Sequence, residues 1–357
     1  MRTALIARSD HRGLGIQTRD YYRCLRPSKT LHVRMTNRHG SWTPYAEHPE
    51  WYPDARQTDF NGLSGTLEPE EALRWLLDGV DVLLTAETAY DHRAWEWARQ
   101  AGVRTVLVGN PEFLSPDKVA GADVILAPST WQLARFPGVV HLPQPVDRSV
   151  FAHTHRPLND PPRFLHVVGN RAARDRAGTD VVLNALRFAR HKVDLTVRCQ
   201  SALSTPQELL LRGLRRNRPT VIRDDVSEPQ DLYAGFDVLL APRRYGGLSL
   251  PVNEAASCGL AILVGDREPE NGWLSPESLL PVATRRETTF QGGTFHLDDV
   301  APQTLALAID RLIDDPAQIA RLSEASAAYA RRIDWEVQRP RWLDVLGCIP
   351  ALSGVNR

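Results

Sequence analysis

The run Pro242-Arg-Arg-Tyr-Gly-Gly-Leu-Ser-Leu-Pro-Val-Asn-Glu-Ala-Ala-Ser-Cys-Gly259 decides how this chain folds. It follows an apolar strand ending near Ala241, crosses a Gly246-Gly247 loop and opens a short helix, with Pro251 at its first position and Gly259 just past its end. A helix entered this way points its N-terminus at the carboxyl edge of a parallel sheet, where open α/β folds bind ligands. Free N–H groups around Leu248, Ser249 and Leu250 would meet an anion there, a diphosphate for instance. Glu254, one turn into the helix, could accept both hydroxyls of a ribose through its two oxygens. The plainer reading is a carboxylate that favours the helix dipole.

Outward from this run, short apolar strands alternate with helix-period segments along almost the whole chain, so the fold class is α/β with helices on both faces of parallel sheets. In the first half the pattern predicts strands near Thr3–Ala7, Leu31–Met35, Val80–Thr85, Val103–Val108 and Asp123–Ala127, with helices between them. The rhythm restarts at Phe164–Val168 and continues through Ala261–Val264, which predicts two doubly wound sheets in tandem. Prolines at 143, 145, 157, 161 and 162 place a linker between the halves, with domains over 1–150 and 151–334. A helical stretch closes the chain, broken by Asp315-Pro316 and Arg339-Pro340, and Trp335 and Trp342 make its end apolar enough to dock.

Two further glycine-bounded loops sit between a strand and a helix. In Gly169-Asn-Arg-Ala-Ala-Arg-Asp-Arg-Ala-Gly178, Arg171, Arg174 and Arg176 could present guanidinium forks to phosphate, or the loop is solvated with Asp175 pairing its neighbours. Gly13-x-Gly15 lacks the third glycine and the acidic residue of a dinucleotide fingerprint; it either admits an anion to a helix N-terminus or makes a tight turn. Residues 38–65 carry Trp42, Tyr45, Trp51 and Tyr52 without a clear period, as an irregular packed loop or an aromatic substrate rim.

The 357 residues, 42% hydrophobic and 24% charged, exclude a disordered chain. Forty-three basic residues balance forty-three acidic ones, so a role on DNA or an anionic membrane needs a local patch. The stretches Arg212–Arg218 and Arg331–Arg341 read as solvated faces. Four widely spaced cysteines form neither a zinc nor a disulfide pattern, and with no secretory h-region a cytoplasmic location is expected. No Asp-x-Asp triplet is present to hold a metal diphosphate, and His153-x-His155 stands without further ligands.

These motifs resemble the retaining GT-B glycosyltransferases of the glycosyl transferases group 1 (family 4-like) type, relatives of sucrose and glycogen synthases. Pro242, Gly247, Leu250, Pro251, Glu254, Ala255 and Gly259 match that family's P-S-x-x-E-G-F-G-L-P-x-x-E-A-x-A-x-G. Leu142-Pro-Gln-Pro-Val-Asp147 followed by Phe151 is similar to its hinge, Gly13-x-Gly15 to its first glycine loop, and Ile333-Asp-Trp335-Glu to its closing F-S-W-E. The likeness spans the whole chain and is loose in the first half.

The resemblance implies two Rossmann-like domains facing a cleft: an acceptor side over 1–150, a nucleotide-sugar side over 151–334, and a helix over 335–357 that crosses back to the first domain. The implied activity moves a hexose or pentose from a nucleoside-diphosphate sugar to an acceptor, with retention and without metal or other cofactor, the donor phosphate helping to deprotonate the acceptor. Gly13, Gly15, Arg243, Gly246, Gly247, Leu248, Ser249, Leu250 and Glu254 would bind the donor. Arg171, Arg176 and Glu112 would be the catalytic residues, the two arginines stabilising the leaving diphosphate and Glu112 on the acceptor side.

The sequence departs from the family where Gly246 replaces the first motif glutamate, Asn170 and Ala177 replace its basic residues, and Asn110 replaces its acceptor-side histidine. A glycine at 246 would leave room for a bulkier or turned sugar unless Arg243, Arg244 and Tyr245 fill it; alternatively it permits an unusual backbone angle. These departures keep two alternatives open, a non-catalytic nucleotide-sugar binder and a sugar-nucleotide epimerase. The acceptor is left open among glycan, protein, small molecule and modified DNA base.

Overall fold

The protein, as a computed structural model, is described over residues 1–35, 47–114, 120–136, 138–153, 156–169, 175–290 and 293–348. Trp42, Tyr45, His155, Asn170, Arg171 and Arg174 lie outside the described residues. The chain divides into unit 1, Met1–Gln144 with the chain from Trp335 onward, and unit 2, Pro145–Asp334.

Unit 1 is built on β1 (Thr3–Ala7), β2 (Lys29–Arg34), β3 (Arg56–Asn61), β4 (Thr66–Glu68), β5 (Val82–Ala86), β6 (Arg104–Val108), β7 (Val124–Ala127) and β8 (Val140–His141), in the order β4-β3-β2-β1-β5-β6-β7-β8. All neighbours are parallel except β3 and β4. Central β1 and β5 are buried at every position, which is why they appear in the sequence as unbroken apolar runs. Strand β3, Arg-Gln-Thr-Asp-Phe-Asn, next to the edge strand β4, buries one residue and carries no such run, so it hides within the stretch the sequence pattern leaves irregular.

On one face of this sheet α1 (Gly13–Leu25) packs with the closing helix, Trp335–Cys348. Trp342 is fully buried, its ring 5.1 Å from that of Tyr21, and its indole N–H donates to the Pro143 carbonyl at 3.3 Å. The break expected at Pro340 does not occur. Pro340 and Glu336, whose carbonyl the missing N–H would have met, are both exposed, so water can satisfy that carbonyl while Trp335 and Leu346 anchor the helix on either side.

Unit 2 is built on β9 (Arg163–Gly169), β10 (Asp194–Cys199), β11 (Thr220–Ile222), β12 (Val238–Ala241), β13 (Ala261–Gly265) and β14 (Leu279–Leu280), all parallel in the order β11-β10-β9-β12-β13-β14. One face is covered by the helices Thr179–Phe188, Thr205–Gly213 and Pro302–Asp314, the other by Leu250–Ser257, and Pro316–Arg332 joins both cores, Ile319 and Leu322 the first and Tyr329 and Ala330 the second. An antiparallel hairpin, β15 (Val282–Phe290) and β16 (Gly293–Val300), is a further element that the sequence pattern does not reveal. The boundary expected at 150 falls at 144: the Val146 amide donates to the Ile333 carbonyl and Phe151 is buried in the unit 2 core, so this proline-rich stretch is packed. Among the described residues no helix is long and apolar enough to cross a membrane.

Candidate functional site

In unit 2 the strand order reverses between β9 and β12, and the loops leaving the carboxyl ends of these strands are the two that the sequence marks for anions. The structure brings them together. Gly178, at φ +72°, lies so close to the Pro242 carbonyl that a Cβ would fall 2.1 Å from its oxygen, and the Arg244 amide donates to the Arg176 carbonyl at 2.9 Å. Only glycine allows that approach. The helix Leu250–Ser257 starts directly after the second loop, and its first used amides, Val252 and Asn253, both return to the Ser249 carbonyl. The amides of Leu248, Ser249 and Leu250 precede the first helical hydrogen bond and so are left for a ligand or water.

Glu254 lies behind this helix start, only 8% exposed, and the fully buried Tyr233 donates its hydroxyl to Glu254 Oε2. Burial pushes the Glu254 carboxyl up to about 7, the Tyr233 hydrogen bond holding it from rising further. One of the two oxygens expected to meet a ribose is therefore engaged already. Tyr233, which follows the short turn Pro229–Leu232, belongs to no motif, and nothing in the sequence links it to Glu254.

The loop's arginines are braces. Arg243 donates to the Leu248 carbonyl at 2.8 Å. Arg244, with a side chain 11% exposed, meets three carboxylates: Asp180 at 2.8 Å, Asp175 at 3.3 Å and Asp299. Asp175 Oδ2 also accepts the Asp180 amide at 2.8 Å, so Asp175 pairs with Arg244 and its own helix start. Tyr245 is buried and stacks on Phe295.

Gly246 sits at φ +103°, and its carbonyl accepts from buried Arg267 Nη2 at 3.0 Å. The unusual backbone angle is thus one visible reason for glycine at this position. Gly246→Ala should lower stability by roughly 1–3 kcal/mol, because a Cβ is strained at that φ. A thermal midpoint equal to that of the wild type would return the glycine to the sugar pocket.

Unit 1 carries the remaining sequence candidates, at the carboxyl ends of β1, β5 and β6. Arg8 Nη2 meets Asp10 at 2.5 Å, both side chains being buried. Gly15 is required by packing, since a Cβ there would fall 2.0 Å from the Asp10 carbonyl oxygen. Gly13 is the exposed first residue of α1, and the amide just before it, Arg12, already donates to the Asp10 carboxylate at 3.1 Å. Asp10 thus ties down the turn before α1, while the amides of Gly13, Leu14 and Gly15 precede the first helical hydrogen bond, from Ile16 to the Arg12 carbonyl, so the anion and tight-turn readings both stand. After β6, Asn110 donates to Glu87 Oε1 at 2.7 Å, and Glu112 is buried. Glu87 and Tyr90 both adopt φ +59° in the loop after β5, and such strain gathers at functional edges. Among the described residues no group of three His, Cys, Asp or Glu side chains is placed to hold a metal ion.

No family model matches the chain. A putative glycosyltransferase 45 of Sulfolobus islandicus filamentous virus is 28% identical over 166 residues, which cover 43% of this chain and 44% of that protein, less than half of its length. Among solved structures, HepE of Anabaena in complex with UDP and glucose aligns over 98% of this chain and 100% of its own at TM-score 0.69 and 12% identity. Sucrose-phosphate synthase of Thermosynechococcus elongatus aligns over 99% and 100% at TM-score 0.69 and 16% identity. The chain has the GT-B fold. A glycosyltransferase of Rickettsia africae aligns equally fully, over 99% of both chains at TM-score 0.70 and 11% identity.

Proposed function

We propose that this GT-B chain is a glycosyltransferase whose unit 2 binds a nucleoside-diphosphate sugar, and that it transfers the sugar with retention and without a metal ion. The observation that carries the reading is Glu254, a buried carboxyl held at the foot of a helix whose leading amides are left for a ligand. A carboxyl kept in so costly a place is a mark of a working site. In this reading the amides of Leu248, Ser249 and Leu250 hold the diphosphate, and the Glu254 oxygen not taken by Tyr233 accepts a ribose hydroxyl. Arg176, together with Arg171, offsets the charge that develops as the diphosphate leaves. The bond from the anomeric carbon to the phosphate oxygen breaks, the acceptor oxygen bonds the same face, and the acceptor proton passes to the departing phosphate. We assign the acceptor to the edge of unit 1 that carries Asn110 and Glu112. The reading draws support from HepE, solved with UDP and glucose, and from the trehalose-6-phosphate synthase of E. coli, solved with UDP-2-fluoro glucose.

A panel of sugar nucleotides tested in EDTA by thermal unfolding checks it. A true donor at about 100 times its Kd should stabilise the chain by about 2.7 kcal/mol. A shift that appears only with manganese or magnesium would remove the metal-free part of the proposal, and a panel without any shift would remove the whole.

A further inference from the structure

We propose that the amino-terminal edge of the unit 2 sheet is a docking surface for an anionic lipid bilayer. The chain is neutral overall, yet Arg187, Lys192, Arg212, Arg215, Arg216 and Arg218 are all exposed at this edge. Asn217 fixes them as one surface. Its side chain donates to the Leu186 and His191 carbonyls at 3.1 Å each and accepts the Val193 amide at 3.1 Å, tying the arginine-rich turn before β11 to the turn before β10. Among the described residues none of the six cationic side chains makes an ion pair, and the acids nearby are taken by other cations. Glu208 meets Arg223 at 2.7 Å, Asp314 meets Arg190 at 2.5 Å and His191 at 2.8 Å, and Asp194 meets Arg163 at 3.6 Å.

Two large apolar side chains accompany the cations. Phe188, next to Arg187, is 50% exposed, and Leu209, one helical turn from Arg212, is 61% exposed. Clustered Lys and Arg beside exposed apolar side chains fit the headgroup and acyl boundary of an anionic bilayer. A nucleic-acid backbone would use the charge and leave both apolar groups in water. The candidate donor loop, 246–250, lies at the opposite edge of the same sheet, about 20 Å away along the seven residues of β9, and is left uncovered by docking. This inference does not depend on the transferase reading.

The test is cosedimentation of the full chain with vesicles of phosphatidylcholine alone and with about a third phosphatidylglycerol. We expect binding to the anionic vesicles at least ~10-fold above the neutral ones, falling steeply with salt. Arg215→Ser/Arg216→Ser/Arg218→Ser should weaken binding about 10-fold, and Phe188→Ser/Leu209→Ser several-fold, with thermal midpoints unchanged because all five side chains are exposed. Equal binding to both vesicles, or anionic binding unaffected by the arginine variant, would overturn the proposal. So would short duplex DNA binding as tightly as the vesicles with no sensitivity to Phe188→Ser/Leu209→Ser, since the surface would then read polyanions only.

Discussion

Glu254→Gln should give a chain more stable than the wild type by up to about 3 kcal/mol above pH 7 and equal to it below pH 4.5, because the folded carboxyl titrates at about 7 and the unfolded one near 4.5. The sign follows from which state ionises first. Below the unfolded value both states hold the proton and burial costs nothing extra. As pH rises from there to about 7 the unfolded chain ionises while the folded one retains its proton, so the wild type loses stability that the neutral amide keeps. Glutamine can still accept from Tyr233, but its remaining amide group only donates, so the ribose loses its acceptor. UDP affinity should fall by roughly 1.5–3 kcal/mol, or ~10–150-fold. Urea unfolding across pH and calorimetric titration of UDP measure the two effects separately. A folded variant with unchanged UDP affinity would leave Glu254 a helix-dipole carboxylate, and a stability difference independent of pH would remove the buried-carboxyl argument.

Arg244→Ala is expected to be the most damaging change in the donor loop, at roughly 3–5 kcal/mol, because it leaves Asp175, Asp180 and Asp299 facing one another without their shared cation. Burial works against the charge of all three. Asp299 nevertheless stays below the ordinary carboxylate range because Arg244 and Arg286 both hydrogen-bond it, while burial and the shared hydrogen bond with Asp175 leave Asp180 above that range. Arg244→Lys should recover only part of the loss, since a point charge cannot reach three carboxylates from one planar fork. The urea midpoint reads the result. A midpoint within experimental error of the wild type would mean that the three acids find water or protons at little cost, and that the loops after β9 and β12 do not need Arg244 to stay together.

The parallel sheets are legible in the order of residues alone, because strands buried on both faces must be continuous apolar runs: β1, β5, β12 and β13 appear as such, and all are buried throughout. That order also bounds the helix that carries Glu254, since Pro251 suits a first turn and Gly259, at φ +81°, suits the exit. Strands β3 and β4 at one end of the unit 1 sheet and the hairpin β15–β16 stayed hidden, because strands so far from a sheet's centre need not bury both faces and leave no apolar run to read. What each charged side chain does depends on contacts made in three dimensions. Tyr233 reaches Glu254 across 21 residues, and Arg244 reaches Asp175, Asp180 and Asp299 across 55 to 69. Local periodicity fixes which way a strand or helix faces; it holds no record of which distant side chain lies opposite, and that is settled when the two cores of unit 2 close on either side of one sheet.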